Sequence, residues 1–346
     1  MKIASWKFFV AGLFLGPLTH AYAIDGNVVP PVIPGFGISI ATLFLQPDAS
    51  NLNYAVKTEP LPVPAPSWTQ ELIDTSFHPA IDVGLQYIFS NQVDQIKIDW
   101  LYLNTDNTAS DSATGTTSIT PPYYFGPGAQ ALSGSSASSS VQFNVNNVNL
   151  IFEHLIALNH YIQVQPFAGI TTAYLKQKIV SSFLGADALN ARYAINTYNT
   201  SKVVAVGPHL GVNATAFLVY HFGVIAELAT SLLVGSIDST TNFLSFGAGN
   251  TTLTPTQLAD QSQTRVIPEL EGKLGIIFAI PFQSGYRLNF QAGYLFMTYI
   301  DGINQVFPTE LVPNAFNQGT IAVATAQQQQ SNFDLNGPYF NVTFVF

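Results

Sequence analysis

The sequence predicts an all-β fold: a transmembrane antiparallel β-barrel of about ten strands, with short periplasmic turns and long extracellular loops. Three observations predict it. Charged residues make up 9 % of the 346 residues while 47 % are hydrophobic, against about 25 % charge in ordinary soluble domains. Charge is scarce, yet no smooth apolar stretch of about 20 residues replaces it, as a membrane helix would need. Apolar side chains instead recur at every second position, and the connections between these segments alternate between short and long. Lipid outside and polar groups inside a barrel produce that combination.

The first element is a secretory signal. Lys2 and Lys7 form a basic start, Phe8–Leu15 a short apolar run, and Ala21-Tyr22-Ala23 a small-x-small cleavage site. Residues 1–23 are therefore read as a signal peptide and 24–346 as the barrel. Without the signal, nine Lys and Arg stand against 20 Asp and Glu, a net of −11 with His neutral. Such an acidic chain is a poor ligand for nucleic acid, whose phosphates need neutralising cations. There is no cysteine, which excludes a disulfide scaffold, a thiolate metal site and a Cys nucleophile.

Ten strands follow, near 36–46, 79–90, 95–105, 141–157, 161–179, 203–221, 224–236, 264–282, 286–300 and 333–346. Short turns fall at Asn91–Asp94, Asn159–His160, Phe222–Gly223 and Gln283–Gly285. Longer connections, rich in Ser, Thr, Asn, Gly and Pro, span about 47–78, 106–140, 180–202, 237–263 and 301–332. An even strand count places both termini in the periplasm.

The period-two pattern sorts the faces. Ile81, Val83, Leu85, Tyr87 and Phe89 share one face of the second strand, and Asp82, Gly84 and Gln86 the other. In the third, Ile96, Ile98, Trp100 and Tyr102 oppose Lys97 and Asp99. In the eighth, Val266, Leu270, Leu274, Ile276, Phe278 and Ile280 oppose Arg265, Glu269, Glu271 and Lys273. In the ninth, Leu288, Phe290, Tyr294 and Phe296 oppose Arg287, Asn289 and Gln291. The fourth strand breaks phase between Phe143 and Val145 on odd positions and Val148, Leu150 and Phe152 on even ones; a β-bulge at Asn146-Asn147 would restore one apolar face. Val203–Ala226 is uncharged and long enough for a membrane helix, but Gly207, His209, Gly211, Asn213 and Thr215 alternate through it, which reads as two strands and a turn.

Lumen-lining charges form the best-defined constellation: Asp82, Lys97, Asp99, Glu153, Glu227, Arg265, Glu269, Glu271, Lys273 and Arg287. In a narrow barrel these must pair or stay hydrated. They fit either a pore lining that selects solutes by charge or a salt-bridged plug, and barrel width decides between the two. Glu269, farther from Lys273 than Glu271 is, is the less compensated acid. No catalytic constellation emerges, so no enzyme is expected. His154, His160 and His221 fall near inner turns and His209 on a lumenal face. Only His78 lies near the outer mouth, where Asp106, Asp238 and Asp301 also fall. No metal or cofactor site is expected either.

Aromatics suit interfacial girdles. Tyr87, Phe89, Tyr220, Phe222, Phe282, Tyr286, Phe344 and Phe346 gather at the inner turns. Trp100, Tyr102, Tyr174, Tyr294, Phe296 and Tyr299 lie toward mid-membrane or the outer edge. Phe340, Val342, Phe344 and Phe346 share one face of the last strand, and the final aromatic is similar to the C-terminal sorting signal read by the barrel-assembly machinery. Pro60–Pro66, Ser133–Ser140 and Ala324–Ser331 are low-complexity tracts in the outer connections. One such connection could fold inward and narrow the lumen; the composition singles out none.

Several stretches resemble the Legionella major outer membrane protein family of porin-type barrels. They are Ile40-Ala41-Thr42-Leu43-Phe44-Leu45-Gln46-Pro47, Ile98-Asp99-Trp100, Val206-Gly207-Pro208-His209-Leu210-Gly211, Pro268-Glu269-Leu270-Glu271-Gly272-Lys273-Leu274-Gly275 and Gly337-Pro338-Tyr339-Phe340. They run from the first strand to the last, and the Pro-Glu-Leu-Glu-x-Lys-Leu-Gly stretch is the most specific. The resemblance implies a porin role. Members of that family carry cysteines that can cross-link subunits; this chain has none, so a disulfide-linked oligomer is excluded. The leading expectation is a multi-pass barrel in the outer membrane of a Gram-negative cell that passes small hydrophilic solutes. The alternative is a closed structural or host-contact, adhesin-like barrel acting through its outer loops. Expected partners are outer-membrane lipid and lipopolysaccharide, the barrel-assembly machinery, further copies of the chain and host surface molecules, with no nucleic acid.

Overall fold

The computed structural model describes residues 29–346 apart from 60–66, 115, 123, 126–132, 187–192, 220, 248–253, 283–284 and 314–320. The signal peptide, Pro60–Pro66 and Tyr220 thus lie outside the described residues. Ten long strands close into one antiparallel ring: β1 (Gly35–Ala49), β2 (His78–Ile88), β3 (Asp94–Ser112), β4 (Ser133–His154), β5 (Ile162–Ala186), β6 (Tyr193–Val219), β7 (Phe222–Gly247), β8 (Thr254–Pro281), β9 (Arg287–Pro313) and β10 (Ile321–Val345). Each pairs with its sequence neighbours, and β1 pairs with β10 from Gly37↔Val345 to Ala49↔Phe333 to close the ring. Asn53–Glu59, Ser67–Leu72 and Ser118–Thr120 form a separate small sheet between the outer ends of the strands.

The outward face identifies the solvent. Phe36, Ile40, Leu85, Ile98, Leu150, Ile170, Leu210, Leu232, Leu274 and Phe296 are all exposed, which would be ruinous in water and is required in lipid. Ile81, Leu270 and the outward aromatics Trp100 and Tyr294 belong to the same belt. Above it the outward positions turn polar on β3, β4, β6 and β8: Tyr102 gives way to Asn104, Val148 to Asn146, Val204 to Lys202 and Val266 to Thr264. That change marks the outer membrane surface.

The strands do not stop there. At ~3.3 Å per residue and ~45° tilt, the 28 residues of β8 rise about 65 Å, well over twice an apolar band of roughly 25 Å. Much of what the sequence assigns to the long outer connections is therefore strand. The Ser/Thr/Asn-rich composition reads as loop, but alternation continues through it: Phe183 on β5, Ile195 on β6 and Phe243 on β7 are wholly buried inside the ring.

β4 also corrects the expected bulge. It keeps one register through Asn146 and Asn147 against both neighbours, with Asn147 opposite Leu101 and Ala173. All its odd positions from Ala137 to Glu153 face inward. The apolar phase changes because the interior itself changes with height, from Phe143 and Val145 above to Asn147 and Asn149 below.

Candidate functional site: the barrel interior

The interior is built in three layers. The lowest is a cavity of about 180 Å³ at the periplasmic end, lined by Asp82, Lys97, Glu153, Glu227, Lys273 and Arg287 among carboxamide and hydroxyl side chains such as Gln165, Asn213, Gln291 and Thr343. Its charges are organised around two lysines. Lys97 Nζ lies 2.9 Å from Asp99. Lys273 Nζ lies 2.9 Å from Glu227 on β7 and 2.7 Å from Glu271 two residues up its own strand. Asn149 donates to Asp99 at 3.0 Å, and Gln95 donates to Glu153. Asp82 faces this group from β2. Arg287 sits at the periplasmic rim and donates to the Pro31 carbonyl at 3.1 Å. Arg265 lies apart, higher on β8 at the level of the outer membrane surface, against Gln263.

The middle layer is a hydrogen-bonded belt that crosses the lumen. Asn147 on β4 donates to Glu269 on β8 at 3.0 Å and meets the Tyr299 hydroxyl on β9 at 2.9 Å. Its own carbonyl accepts from Thr171 on β5 at 2.8 Å. β4 and β9 are five places apart in a ring of ten, so Asn147 and Tyr299 join opposite walls. Ser231 is the register partner of Glu269 across the β7–β8 pair and shares a 2.8 Å hydrogen bond with His209 Nδ1. Among the described residues Glu269 forms no ion pair; its hydrogen-bond partner Asn147 is neutral. Asn147, Tyr299, Ser231 and Glu269 are each no more than 1 % exposed.

The upper layer is built around an apolar cluster, with buried polar side chains such as Gln177, Ser201 and Ser239 beside it. Phe143, Leu175, Leu233, Ile237, Ile267, Ile303, Phe333 and Leu335 are buried against one another inside the ring. The Phe143 and Phe333 rings lie 5.1 Å apart and Phe333 and Tyr299 6.1 Å apart. Tyr299 is thus a correction: grouped in sequence with the outer girdle, it stands at an odd position of β9, opposite in phase to outward Tyr294 and Phe296, and is wholly enclosed.

A folded-in hairpin completes this layer. β9 leaves β8 above the Glu269↔Tyr299 pair. Asp301 takes a left-handed φ of 54°, which Asp tolerates better than most residues. Past this bend the Asn304 amide donates to Ser201 Oγ on β6 at 3.0 Å, and the Val306 amide to Ser239 Oγ on β7 at 3.2 Å. Both serines are buried inward-facing residues, so the upper parts of β9 and β10 lie within the ring. Asp260 on β8 accepts from Asn304 at 2.9 Å and from Gln328 at 2.7 Å. From the other side Asn51, just past β1, reaches Gln177 and Gln305 at 2.9 and 3.0 Å. Sequence reasoning missed the belt and the hairpin. The phase switch at Phe143 was the available signal for an apolar interior.

The other polar residues considered in sequence lie scattered. His78 shares hydrogen bonds with Ser76 and Asn107, 3.2 and 3.0 Å away, rather than with a carboxylate. His154 pairs with Asp94 at a periplasmic turn. Among the described residues no group of three His, Asp or Glu is arranged to hold a metal. Phe340, Phe344 and Phe346 face outward, and the Phe346 amide donates to the Phe36 carbonyl at 2.7 Å beside the closing seam.

The family model described as Legionella pneumophila major outer membrane protein precursor matches residues 28–346. The chain belongs to this family. It is a multi-pass outer-membrane β-barrel, in keeping with the lipid-facing belt. No curated protein matches it. Among solved structures, the Escherichia coli outer membrane protease OmpT is 8 % identical with a TM-score of 0.42, over 95 % of this chain and 99 % of that one. A Pseudomonas aeruginosa FadL homologue is 7 % identical with a TM-score of 0.28 over 90 % of each chain. The P. putida toluene transporter TodX is 6 % identical with a TM-score of 0.27, over 93 % of this chain and 94 % of that one. At these values neither proteolysis nor a toluene cargo passes to this family member.

Proposed function

We propose that the protein is a closed, non-catalytic barrel whose work lies on its tall extracellular face. The observation that carries this reading is the cross-lumen belt of Asn147, Glu269 and Tyr299 beneath the apolar layer. Water-filled pores are lined by polar side chains, whereas Phe143 and Phe333 are packed ring to ring across the axis. Ten strands fall near the filled end of the barrel series, in which about eight leave room only for side chains and 16–18 leave a channel. The charged lower layer supports the other reading, passage of small hydrophilic solutes, provided the upper layer moves aside. Host surface molecules and further copies of the chain are the partners that the extracellular face would serve, and Phe340, Val342, Phe344 and Phe346 are the segment offered to the barrel-assembly machinery.

Conductance in a planar bilayer tests the proposal. The folded protein is expected to insert without steady current steps. Stable ohmic channels from correctly folded protein would refute closure and favour a porin-like role.

A further inference from the structure

We propose that Lys176, Lys178 and Lys202 form a binding site for the phosphate groups of an outer-leaflet glycolipid. The site rests on the barrel's place in the outer membrane, not on whether its lumen is closed. Lys176 and Lys202 are register partners on β5 and β6, and Lys178 is the next outward residue on β5, about 6.5–7 Å further along. All three are exposed. They stand at the upper edge of the apolar belt: Ile170, Thr172 and Tyr174 lie beneath them on β5, and Val204 and Val206 beneath Lys202 on β6. That is the level at which the phosphates of an outer-leaflet lipid lie.

The charge pattern needs a partner. Every other lysine or arginine among the described residues after the signal is engaged: Lys57 with Asp111, Lys97 with Asp99, Lys273 with two glutamates, Arg265 with Gln263 and Arg287 with Pro31. Among the described residues none of the three outward lysines forms an ion pair; Lys202 lies over the Tyr174 ring, 5.9 Å from its centre. Asp238 stands opposite Lys202 on β7 and Asp106 two strands from Lys178, yet neither forms an ion pair with them. Like charges directly opposite on paired strands destabilise a sheet, so Lys176 and Lys202 repel until an anion sits between them. A phosphate does so, and its remaining oxygens meet donors nearby: Asn144 opposite Lys176, Gln142 opposite Lys178, and Thr200. Acyl chains from the same lipid would run down the apolar rows of β5 and β6. One molecule thereby satisfies the cations and covers the belt below them.

The full mature protein, refolded in detergent, is titrated with lipid A carrying both phosphates, with monophosphoryl lipid A, and with inorganic phosphate, and bound lipid is read by native mass spectrometry. Doubly phosphorylated lipid A is expected to bind tightest. Lys176→Gln, Lys178→Gln and Lys202→Gln should each weaken it about fivefold and the triple variant on the order of a hundredfold, from about 1 kcal/mol per surface cation. Lys57→Gln should change nothing. If the triple variant fails the heat-modified gel shift of a folded barrel, the single variants carry the test. Equal binding by the variants, indifference to the number of phosphates, or displacement of lipid by millimolar inorganic phosphate would each overturn the proposal.

Discussion

Closure can be weighed at two rings. Phe143→Ala and Phe333→Ala each remove an aromatic side chain no more than 1 % exposed. A buried aromatic withdraws about 150–250 Å² from water, worth about 4–6 kcal/mol at ~25 cal/mol per Å². Truncations of this kind cost about 3–5 kcal/mol in practice. The rings are 5.1 Å apart, so the two losses should not add: the double variant should fall short of their sum by about 0.5–1.5 kcal/mol, the coupling of an aromatic pair. The assay is equilibrium urea unfolding in lipid vesicles, followed by heat-modified gel migration, with the four proteins of the cycle compared at constant slope. Rings that lined a water-filled pore would lose little on truncation. Single losses under about 1 kcal/mol with no coupling would therefore refute the packed interior from which closure is argued.

Three further outcomes follow from the same structure. Asn147→Ala removes the hydrogen-bond partner shared by Glu269, Tyr299 and Thr171, and should cost about 1–3 kcal/mol in the same unfolding assay. Because the chain has no cysteine of its own, single thiols report access without background. Gln165→Cys and Asn341→Cys, on the lower cavity wall, should react with a membrane-impermeant maleimide from the periplasmic side alone, and Val145→Cys from neither side. The Lys57–Asp111 pair at the extracellular end holds the Asp111 carboxyl below its usual range, through the Lys57 hydrogen bond, and raises Lys57 by the same contact. Asp111 being depressed, its stabilisation is present above the ordinary aspartate value and lost as pH falls through the lowered one. Lys57 being raised, its share is present below the ordinary lysine value and lost only as pH climbs through the raised one. The pair should act across the neutral range, and Lys57→Met should cost under about 1 kcal/mol at pH 7, measured by urea unfolding at pH 3, 7 and 9.

What the sequence discloses tracks how uniform each environment is. Lipid surrounds every strand at the same depth, so the outward rows, such as Leu270, Leu274 and Ile276, repeat cleanly and the strands through the membrane can be counted. The interior is not uniform. It changes from charged to apolar within a few residues of Asn147, and a single apolar phase cannot describe β4. The extracellular strands are hidden for another reason. Ser and Asn on their water-facing rows mimic loop composition and mask the inward row of Phe183, Ile195 and Phe243. The Gln327–Gln330 tract reads as low complexity, yet Gln328 helps fasten the hairpin to Asp260. Contacts such as Asn147 to Glu269, 122 positions apart, depend on ring closure and leave no local trace.

The hairpin that fills the mouth belongs to β9 and β10, the last strands in the chain, and β10 also supplies the closing seam with β1. Sealing and circularisation are thus assigned to the same stretch of polypeptide. A chain lacking β9 and β10 would hold Asn147, Phe143 and Ser201 facing an uncovered groove, with neither Tyr299 nor Phe333 supplied. Shortening the chain from its far end would leave the groove both unzipped and unstoppered, and no partly built wall would be watertight. A cell inspecting such a molecule would have one defect to detect rather than two.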